Sequence, residues 1–276
     1  SYRLPKATMD IPEGMEVQNT GKVFAIGKVT GTGALGGLVD FGNGVSGYNT
    51  WKVGNETNYR WSGKVTGTNT AFVKIGTGKL TAGAGWDNTG SVKVAEGELC
   101  LTSGNVIGTG AVTVDKDARL SGVTGTTALT NSSFTINGEL VVGAFANATS
   151  GKINFGGKNV TISSTGKYVV GKGSYSNTTI ENVNTLTING TIEVVLASSY
   201  TPKDGDVLTL WTANHFAGTP NYVLPNLPLG MAWDMSKISE GKLTIVSDPT
   251  AIGVVPFGAK YGHNDIYDLK GQLVRK

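Results

Sequence analysis

The chain has 276 residues, a formal net charge of +3, a charged fraction of 16%, 41 glycines and one cysteine. This length can bury a substantial core, and the glycine-rich, weakly charged composition suits short strands joined by turns rather than a helical bundle. The small charge, with no run of basic residues among aromatics, argues against nucleic acid as a partner. No intrachain disulfide is possible, and no apolar stretch approaches the roughly 18 residues of a membrane helix.

The first motif in chain order is glycine-rich. Gly31, Gly33 and Gly36 have the spacing of a dinucleotide-binding loop. That loop requires a strand followed by a helix, and the residues after it show no helical period. Gly-Thr-Gly also recurs at residues 76–78 and 108–110, so it predicts a recurring turn rather than a nucleotide site.

A pattern of two short strands and a tight turn repeats from residue 72 onward, every 20 to 26 residues or so. Each copy begins with two apolar residues two positions apart, which share one face of a strand. These pairs are Val73/Ile75, Val92/Val94, Val112/Val114, Phe134/Ile136, Val160/Ile162 and Leu186/Ile188. The second strands carry the inward candidates Leu80, Leu99/Leu101, Leu120, Leu140/Val142, Tyr168/Val170 and Ile192/Val194.

Each of these units has a single apolar face and cannot bury it alone. The repeat therefore predicts coils stacked roughly 4.8 Å apart in a parallel β-solenoid. A meander or sandwich of hairpins stays the alternative, because the Asn137-Gly138 and Asn189-Gly190 turns suit two-residue hairpins.

The stretch from Asn49 to Gly122 contains a spaced pattern of Lys, Gly and Leu. Its members are Lys74, Gly76, Gly78, Leu80, Gly83, Gly90, Val94, Gly97 and Leu99, with Ala82 at one further apolar position. This stretch resembles the autotransporter-associated β-strand repeat, whose hallmark is K-x-G-x-G-x-L-x-L-x-G followed by G-x-x-x-V-x-x-G-x-L. The resemblance implies an all-β, right-handed, single-stranded parallel β-helix on a bacterial surface.

Two later segments carry further resemblances. Residues 201–246 resemble the closing module that often follows such repeats in secreted bacterial proteins, with bulky side chains that would cover the last rung. The ending NDIYDLKGQLVRK resembles the first part of a C-terminal segment, often a sorting signal, of many Bacteroidota surface or secreted proteins. We therefore expect an N-terminal cap within about 1–47, coils over about 48–200, a C-terminal cap over 201–247, and a linker with an export-type tail over 248–276.

Paired acids are the candidate catalytic groups, because glycoside hydrolysis uses two carboxylates. The closest pairs are Asp115/Asp117, Glu96/Glu98 and Asp204/Asp206, which lie in predicted turns, where charged side chains are ordinarily solvated.

The histidines, His215 and His263, lie far apart and have no nucleophile motif nearby. We therefore expect no enzyme activity, no metal site and no cofactor. Cys100 alternates with two leucines, so we expect an outward-pointing, incidental thiol.

Trp86, Trp51, Tyr59 and Trp61 are the candidate ligand-binding residues, because flat rings can stack on sugars. Trp86 lies in a predicted loop and is expected to be the most exposed ring. For Trp51 and Trp61, a role in the core or cap is favoured over binding.

These observations predict a non-catalytic structural solenoid, secreted or associated with the outer membrane at a bacterial cell surface. It would be a monomeric passenger or spacer, with an adhesive role as an addition, next to a neighbouring domain of the same chain. A module that binds host or bacterial surface glycans is the alternative, and a polysaccharide lyase or hydrolase is the third hypothesis.

Overall fold

The computed structural model describes residues 2–19, 22–37, 49–143, 150–174, 176–248, 266–267 and 273–275. These residues form β-strands and one short 3-10 helix, η1 (Ile238–Glu240). The strands of the first part are β1 (Tyr2–Ile11), β2 (Glu16–Asn19), β3 (Val23–Gly31), β4 (Ala34–Gly37), β5 (Asn49–Val53), β6 (Tyr59–Trp61), β7 (Lys64–Val65), β8 (Thr70–Lys74), β9 (Lys79–Ala82), β10 (Val92–Val94), β11 (Glu98–Leu101), β12 (Val112–Val114) and β13 (Arg119–Gly122). Those of the second part are β14 (Ser133–Ile136), β15 (Glu139–Val142), β16 (Gly151–Ile162), β17 (Lys167–Lys172), β18 (Thr178–Ile188), β19 (Thr191–Leu196), β20 (Val207–Thr209), β21 (Trp211–Ala217), β22 (Asn221–Val223), β23 (Met231–Asp234), β24 (Lys242–Ser247), β25 (Ile266–Tyr267) and β26 (Leu273–Arg275).

Two long parallel sheets form the body of the protein. One has ten strands in the order β1-β3-β5-β8-β10-β12-β14-β16-β18-β21, and the other has eight in the order β22-β19-β17-β15-β13-β11-β9-β6. From β8 to β19, successive strands alternate between these two sheets, and each pairs with the equivalent strand of the next turn. The chain is therefore an all-β parallel β-solenoid of about eight turns, and the hairpin alternative is wrong.

The predicted inward residues form continuous columns. Val92 pairs with Val112, and Val112 pairs with Phe134, so the three lie on adjacent rungs as the repeat predicts. The inward pairs from Val92/Val94 to Leu186/Ile188 are buried, and so are all the second-strand candidates. Periodicity alone therefore identified most of the core, because a parallel coil repeats the same inward position at each rung.

The first predicted pair, Val73/Ile75, is wrong by one residue. Phe72 pairs with Val92 and Lys74 pairs with Val94, so Phe72 and Lys74 point inward. Both are fully buried, whereas Val73 and Ile75 are partly exposed. The apolar pattern gave the wrong face here because a lysine occupies an inward position, and lysine is almost never fully buried.

The glycine-rich stretch at Gly31 is a bend between sheets. Strand β4 begins at Ala34, where a nucleotide-binding loop would need a helix. Gly31 has a φ of 83°, and a Cβ atom there would lie 2.1 Å from the backbone oxygen of Ile11. Glycine is therefore required by backbone conformation and by close packing of successive turns.

The segment predicted as a C-terminal cap contains two kinds of structure. Strands β21 and β22 extend the two long sheets by pairing with β18 and β19, while β20, β24 and β23 form an antiparallel sheet. Leu208 and Leu243 of that sheet belong to the common core, and Ile245 is also buried. At the other end of the chain, β1 and β3 already belong to the ten-stranded sheet.

Most of the predicted tail lies outside the described residues. In the part of the tail that the structure describes, β25 and β26 form a short antiparallel pair. Within the part of the chain that the structure describes, no helix is long and apolar enough to cross a membrane.

Replacing Phe134 by Ala tests the inward column. Phe134 is 1% exposed and its ring lies 4.7 Å from that of Phe155, edge to face. We expect Phe134→Ala to lower the free energy of unfolding by about 3–5 kcal/mol, measured by urea denaturation, because the cavity cannot close. The neighbouring Thr135→Ala, on the outward face of the same strand, is the control and should change it by less than about 1 kcal/mol. Equal losses would show that the assigned faces are incorrect.

Candidate functional site

The predicted aromatic site is part of the core. Trp51, Trp61 and Trp86 are 2%, 0% and 2% exposed. The Trp86 ring packs 4.6 Å from that of Phe72 and 6.1 Å from that of Trp61. The expectation that Trp86 is the most exposed ring is therefore wrong. Its backbone forms a parallel bridge with Ile107 of the next turn, so the predicted loop is a wall of the solenoid and directs the ring inward.

Two of the four predicted aromatic ligands, Trp51 and Tyr59, also contact other groups of the protein. Trp51 donates its Nε1 hydrogen to the backbone oxygen of Gly36 at 2.9 Å and packs against Phe24. Tyr59 is half-buried, with the Lys28 ammonium 5.4 Å from its ring centre, and burial raises the pKa of Tyr59 to about 12. The tryptophans therefore offer no open ring face for a sugar, and the core alternative describes them correctly.

Five of the six candidate acids are engaged in local structure, whereas Asp117 is exposed and has no side-chain partner among the described residues. Asp115 forms an ion pair with Lys93 at 2.8 Å, and Glu96 accepts a hydrogen bond from the Gly76 backbone N–H at 3.0 Å. Asp204 accepts from the Ser247 backbone N–H, and Asp206 accepts from the Tyr200 hydroxyl, each at 2.6 Å. These bonds hold turns together, which accounts for these acids without a catalytic role.

The remaining reactive side chains in the described part of the chain, His215 and Cys100, lie on strands of different sheets. His215 is exposed on β21, and His263 lies outside the described residues. Cys100 is not part of the core that contains Leu99 and Leu101, as the predicted outward direction requires, but it is only 3% exposed and is therefore covered. Among the residues that the structure describes, no three His, Cys, Asp or Glu side chains are arranged to hold a metal ion.

The structure instead brings charged side chains together along the outer face of the eight-stranded sheet. Glu98, Arg119, Glu139 and Lys167 occupy one outward column on consecutive rungs, with Lys79 before them. Each of these four side chains forms an ion pair with the next, and Lys167 forms a further one with Glu193. We call Glu98, Arg119, Glu139, Lys167 and Glu193 the ion ladder.

Distances along the ion ladder are short near its centre. The Arg119 guanidinium lies 2.5 Å from Glu139 Oε2 and 3.6 Å from Glu98 Oε2. Lys167 Nζ lies 2.8 Å from Glu139 Oε1 and 3.1 Å from Glu193 Oε2. Glu139 thus bridges two cations, and each of these cations bridges two acids.

Protonation equilibria reflect this pairing. Burial would raise the pKa of Glu139, but hydrogen bonds from Lys167 and Arg119 outweigh it and hold that pKa below its ordinary value. The hydrogen bond to Glu139 raises the pKa of Lys167, against a smaller effect of burial. Both side chains are therefore charged in the folded protein over a wide range of pH.

A groove of about 570 Å³ runs beside the ion ladder. Its floor includes the turn residues Gly97, Ala118, Gly138 and Gly166, which expose little or no side chain. Four members of the ladder, Glu98, Arg119, Glu139 and Lys167, line the groove, and the rest of the lining comes from Thr77, Lys116, Asp117, Thr165 and Thr191. This groove is the candidate functional site, because it is a concave surface whose polar groups converge from successive turns.

A second unusual group lies inside the solenoid. The Lys74 ammonium donates hydrogen bonds to the backbone oxygens of Ile75, Gly76 and Glu96 at 2.8, 2.7 and 3.2 Å. Burial lowers the pKa of Lys74 to about 8, although the charges of Glu96 and Glu98 favour the ammonium form. Lys74 therefore closes the turns of two successive coils by satisfying carbonyl groups that a side chain such as Val94 could not.

Sequence reasoning missed both the ion ladder and Lys74. The ladder had a visible signal, since the second strands begin with Lys79, Glu98, Arg119, Glu139 and Lys167, which alternate in sign at the coil spacing. In the sequence, Lys74 stands out only as a member of the family pattern, and a hydropathy pattern does not predict that a lysine is buried.

No protein-family model matches this chain, and no curated protein shows significant similarity to it. Membership of the autotransporter-associated repeat family therefore stays a prediction from the motif at residues 49–122. The part of that prediction which the structure supports is the parallel β-solenoid.

Replacing Lys74 by Met tests the buried ammonium. Met has a similar length but leaves two or three backbone oxygens without a donor, so we expect a loss of about 1–3 kcal/mol in the free energy of unfolding at pH 7. The pKa of Lys74 falls from 10.5 to about 8 on folding, so between these pH values the unfolded chain binds more protons than the folded one. The free energy of unfolding of wild type should therefore rise as pH increases from about 8 to 10.5, and that of Lys74→Met should lack this rise. Lys93→Met, one rung away on the outward face, is the control. Urea denaturation at several pH values would contradict the assignment if both variants behaved alike.

Replacing Glu139 by Gln tests the ion ladder. A carboxylate with a lowered pKa contributes stability above its unfolded pKa, and this contribution disappears as pH falls through the folded pKa. We expect wild type to lose stability on acidification below about pH 4.5 by roughly 1 kcal/mol more than Glu139→Gln does. Glu181→Gln, which removes the acid of the separate Lys152–Glu181 pair, should retain the acid dependence of the ladder. Identical pH profiles for wild type and Glu139→Gln would refute a central role for Glu139.

Proposed function

We propose that this chain is a non-catalytic structural β-solenoid that serves as a rigid spacer or passenger segment of a secreted or cell-surface bacterial protein. The observation that carries this proposal is the parallel pairing of equivalent strands from coil to coil, with register shifts in the β1/β3, β16/β18 and β18/β21 pairs. Inward columns, paired strands and the outward ion ladder continue from coil to coil along one axis. Such a body resists bending because a bend would separate paired strands and buried side chains along the same side.

The cellular setting rests on the resemblances of residues 49–122, 201–246 and the C-terminal tail to bacterial repeat, closing and sorting segments. In this proposal the solenoid is monomeric and supports or displaces a neighbouring domain of the same chain. An enzyme stays the weakest hypothesis, because in each candidate pair at least one acid has a structural partner. A glycan-binding role through Trp51, Trp61 and Trp86 has no support, because their rings are buried.

Removing coils tests the spacer. Deleting residues 91–132 removes two turns, joins equivalent strand positions and brings Lys79 next to Glu139, so the charge alternation is preserved. We expect a folded protein that is shorter by roughly twice the 4.8 Å strand spacing. The measurement is the distance between spin labels at Glu13→Cys and Lys237→Cys, two exposed positions, in a Cys100→Ser background.

Deleting only residues 91–110 is the matched comparison. It brings Lys79 next to Arg119, two like charges on adjacent rungs, so we expect lower stability than for the deletion of two coils. Duplicating residues 91–132 should lengthen the distance by the same step. Broad distance distributions, or distances that do not follow the number of coils, would contradict a rigid spacer.

A further inference from the structure

We propose that the groove beside the ion ladder binds an unbranched, uncharged polysaccharide chain that lies along the solenoid axis. This inference goes beyond the spacer role and does not depend on it, since a rigid solenoid can exist with or without a ligand. It also moves the glycan site from the buried tryptophans to a different part of the surface.

Two of the residues that line the groove, Gly138 and Gly166, are required to be glycine by the close stacking of the turns. Gly138 occupies the turn between β14 and β15, where a Cβ atom would lie 2.2 Å from the backbone oxygen of Ala118. At Gly166, in the next turn, the same atom would lie 2.4 Å from the backbone oxygen of Ile136. A side chain at either position would collide with the backbone of the preceding coil, so both positions require glycine and add no side chain to the lining of the groove.

The charges of the groove favour a neutral ligand. Its lining contains three cations and three acids: Lys116, Arg119, Lys167, Glu98, Asp117 and Glu139. A polyanion or polycation would meet equal numbers of attractive and repulsive groups, so it gains no net attraction. Sugar hydroxyl groups both donate and accept hydrogen bonds, and they can therefore pair with the carboxylates and with the cations alike.

The groove combines fixed groups with free groups. The ion ladder holds Arg119, Glu139 and Lys167 in place, so these side chains lose little further conformational entropy when a ligand binds to them. Lys116 and Asp117 are exposed, and no hydrogen bond or ion pair within the described residues involves their side chains. They are therefore the groups in the groove whose hydrogen-bonding capacity is open to a ligand.

The repeat distance favours a glycan over other polymers. Equivalent backbone positions recur along the groove at the strand spacing of roughly 4.8 Å, and ladder side chains of like charge recur every two rungs, roughly 9.6 Å. An extended peptide repeats its side-chain direction every two residues, roughly 6.6 Å, and a nucleic-acid strand advances roughly 3.4 Å per nucleotide. One pyranose ring with its glycosidic oxygen spans about one strand spacing, so successive sugars can meet successive rungs, with side chains of like charge on every second rung.

Binding of neutral oligosaccharides of increasing length tests this inference. The probes are β-1,4-linked glucose, mannose and xylose series from disaccharide to hexasaccharide, titrated by calorimetry at low and high salt. We expect at least one series to bind with affinity that rises with chain length and depends little on salt. Amide resonances of Gly97, Gly138 and Gly166 should shift on binding, which would place the ligand in the groove.

A double variant, Lys116→Ala with Asp117→Gly, removes the free groups without changing net charge. Glycine suits position 117, where φ is 66°. The loss of two hydrogen-bonding groups should weaken binding about tenfold. Lys64→Ala with Asp87→Ala, which removes one exposed ion pair outside the groove, is the matched control and should bind as wild type does.

Several results would overturn the proposal. One is the absence of binding by any neutral series, and another is an equal loss of affinity in the two double variants. If only anionic polysaccharides bound, strongly and with a marked dependence on salt, the groove would be a site for anions that its lysines and arginine attract. Preferential binding of an extended peptide library would assign it to protein recognition. None of these results would alter the distances measured after coil deletion, so this inference can fail while the spacer stands.

Discussion

Parallel stacking in register is the constraint on which the rest of this structure depends. Each coil places one residue above its equivalent in the previous coil, as in the pairing of Val92 with Val112 and Phe134. A slip by one residue would turn an inward column to the solvent, because alternate residues of a strand face opposite sides. The apolar core therefore fixes the register, and the register in turn determines which polar residues become neighbours.

That consequence explains the surface chemistry. Equivalent outward residues are brought within roughly 4.8 Å of each other, a distance at which like charges on adjacent rungs would repel. Along the ion ladder the protein alternates acids and bases, so that Glu139 lies between Arg119 and Lys167. Inside the solenoid, where no counter-ion can lie above it, the Lys74 ammonium is satisfied by backbone oxygens instead. In both cases stacking decides which interactions a charged side chain can make.

The sequence was informative where a property repeats and uninformative where it does not. Inward columns such as Leu120 and Leu140 were predictable, because an apolar residue returns at every coil. The inward direction of Phe72 and Lys74 was not predictable, because the adjacent Val73 and Ile75 form an apolar pair with the same spacing as the inward pairs of the other coils. Trp86 lies between the strands of the repeat, and its burial depends on a bridge to Ile107 that no local pattern reveals. The groove escaped prediction because it is formed by several turns, although the charge alternation beside it was visible in the sequence.

Because charges alternate in sign, the natural unit of this solenoid is two coils rather than one. A single coil repeats the core, since Val92 and Val112 are equivalent. It does not repeat the ion ladder, since Glu98 and Arg119 have opposite charges on adjacent rungs. Two coils restore both, as Glu98 and Glu139 show. A change of length by whole pairs therefore preserves core, ladder and groove together, whereas a change by one coil sets like charges against each other at the junction. The core thus permits any number of coils, and electrostatics restricts the choice to even steps within the region that the ion ladder covers.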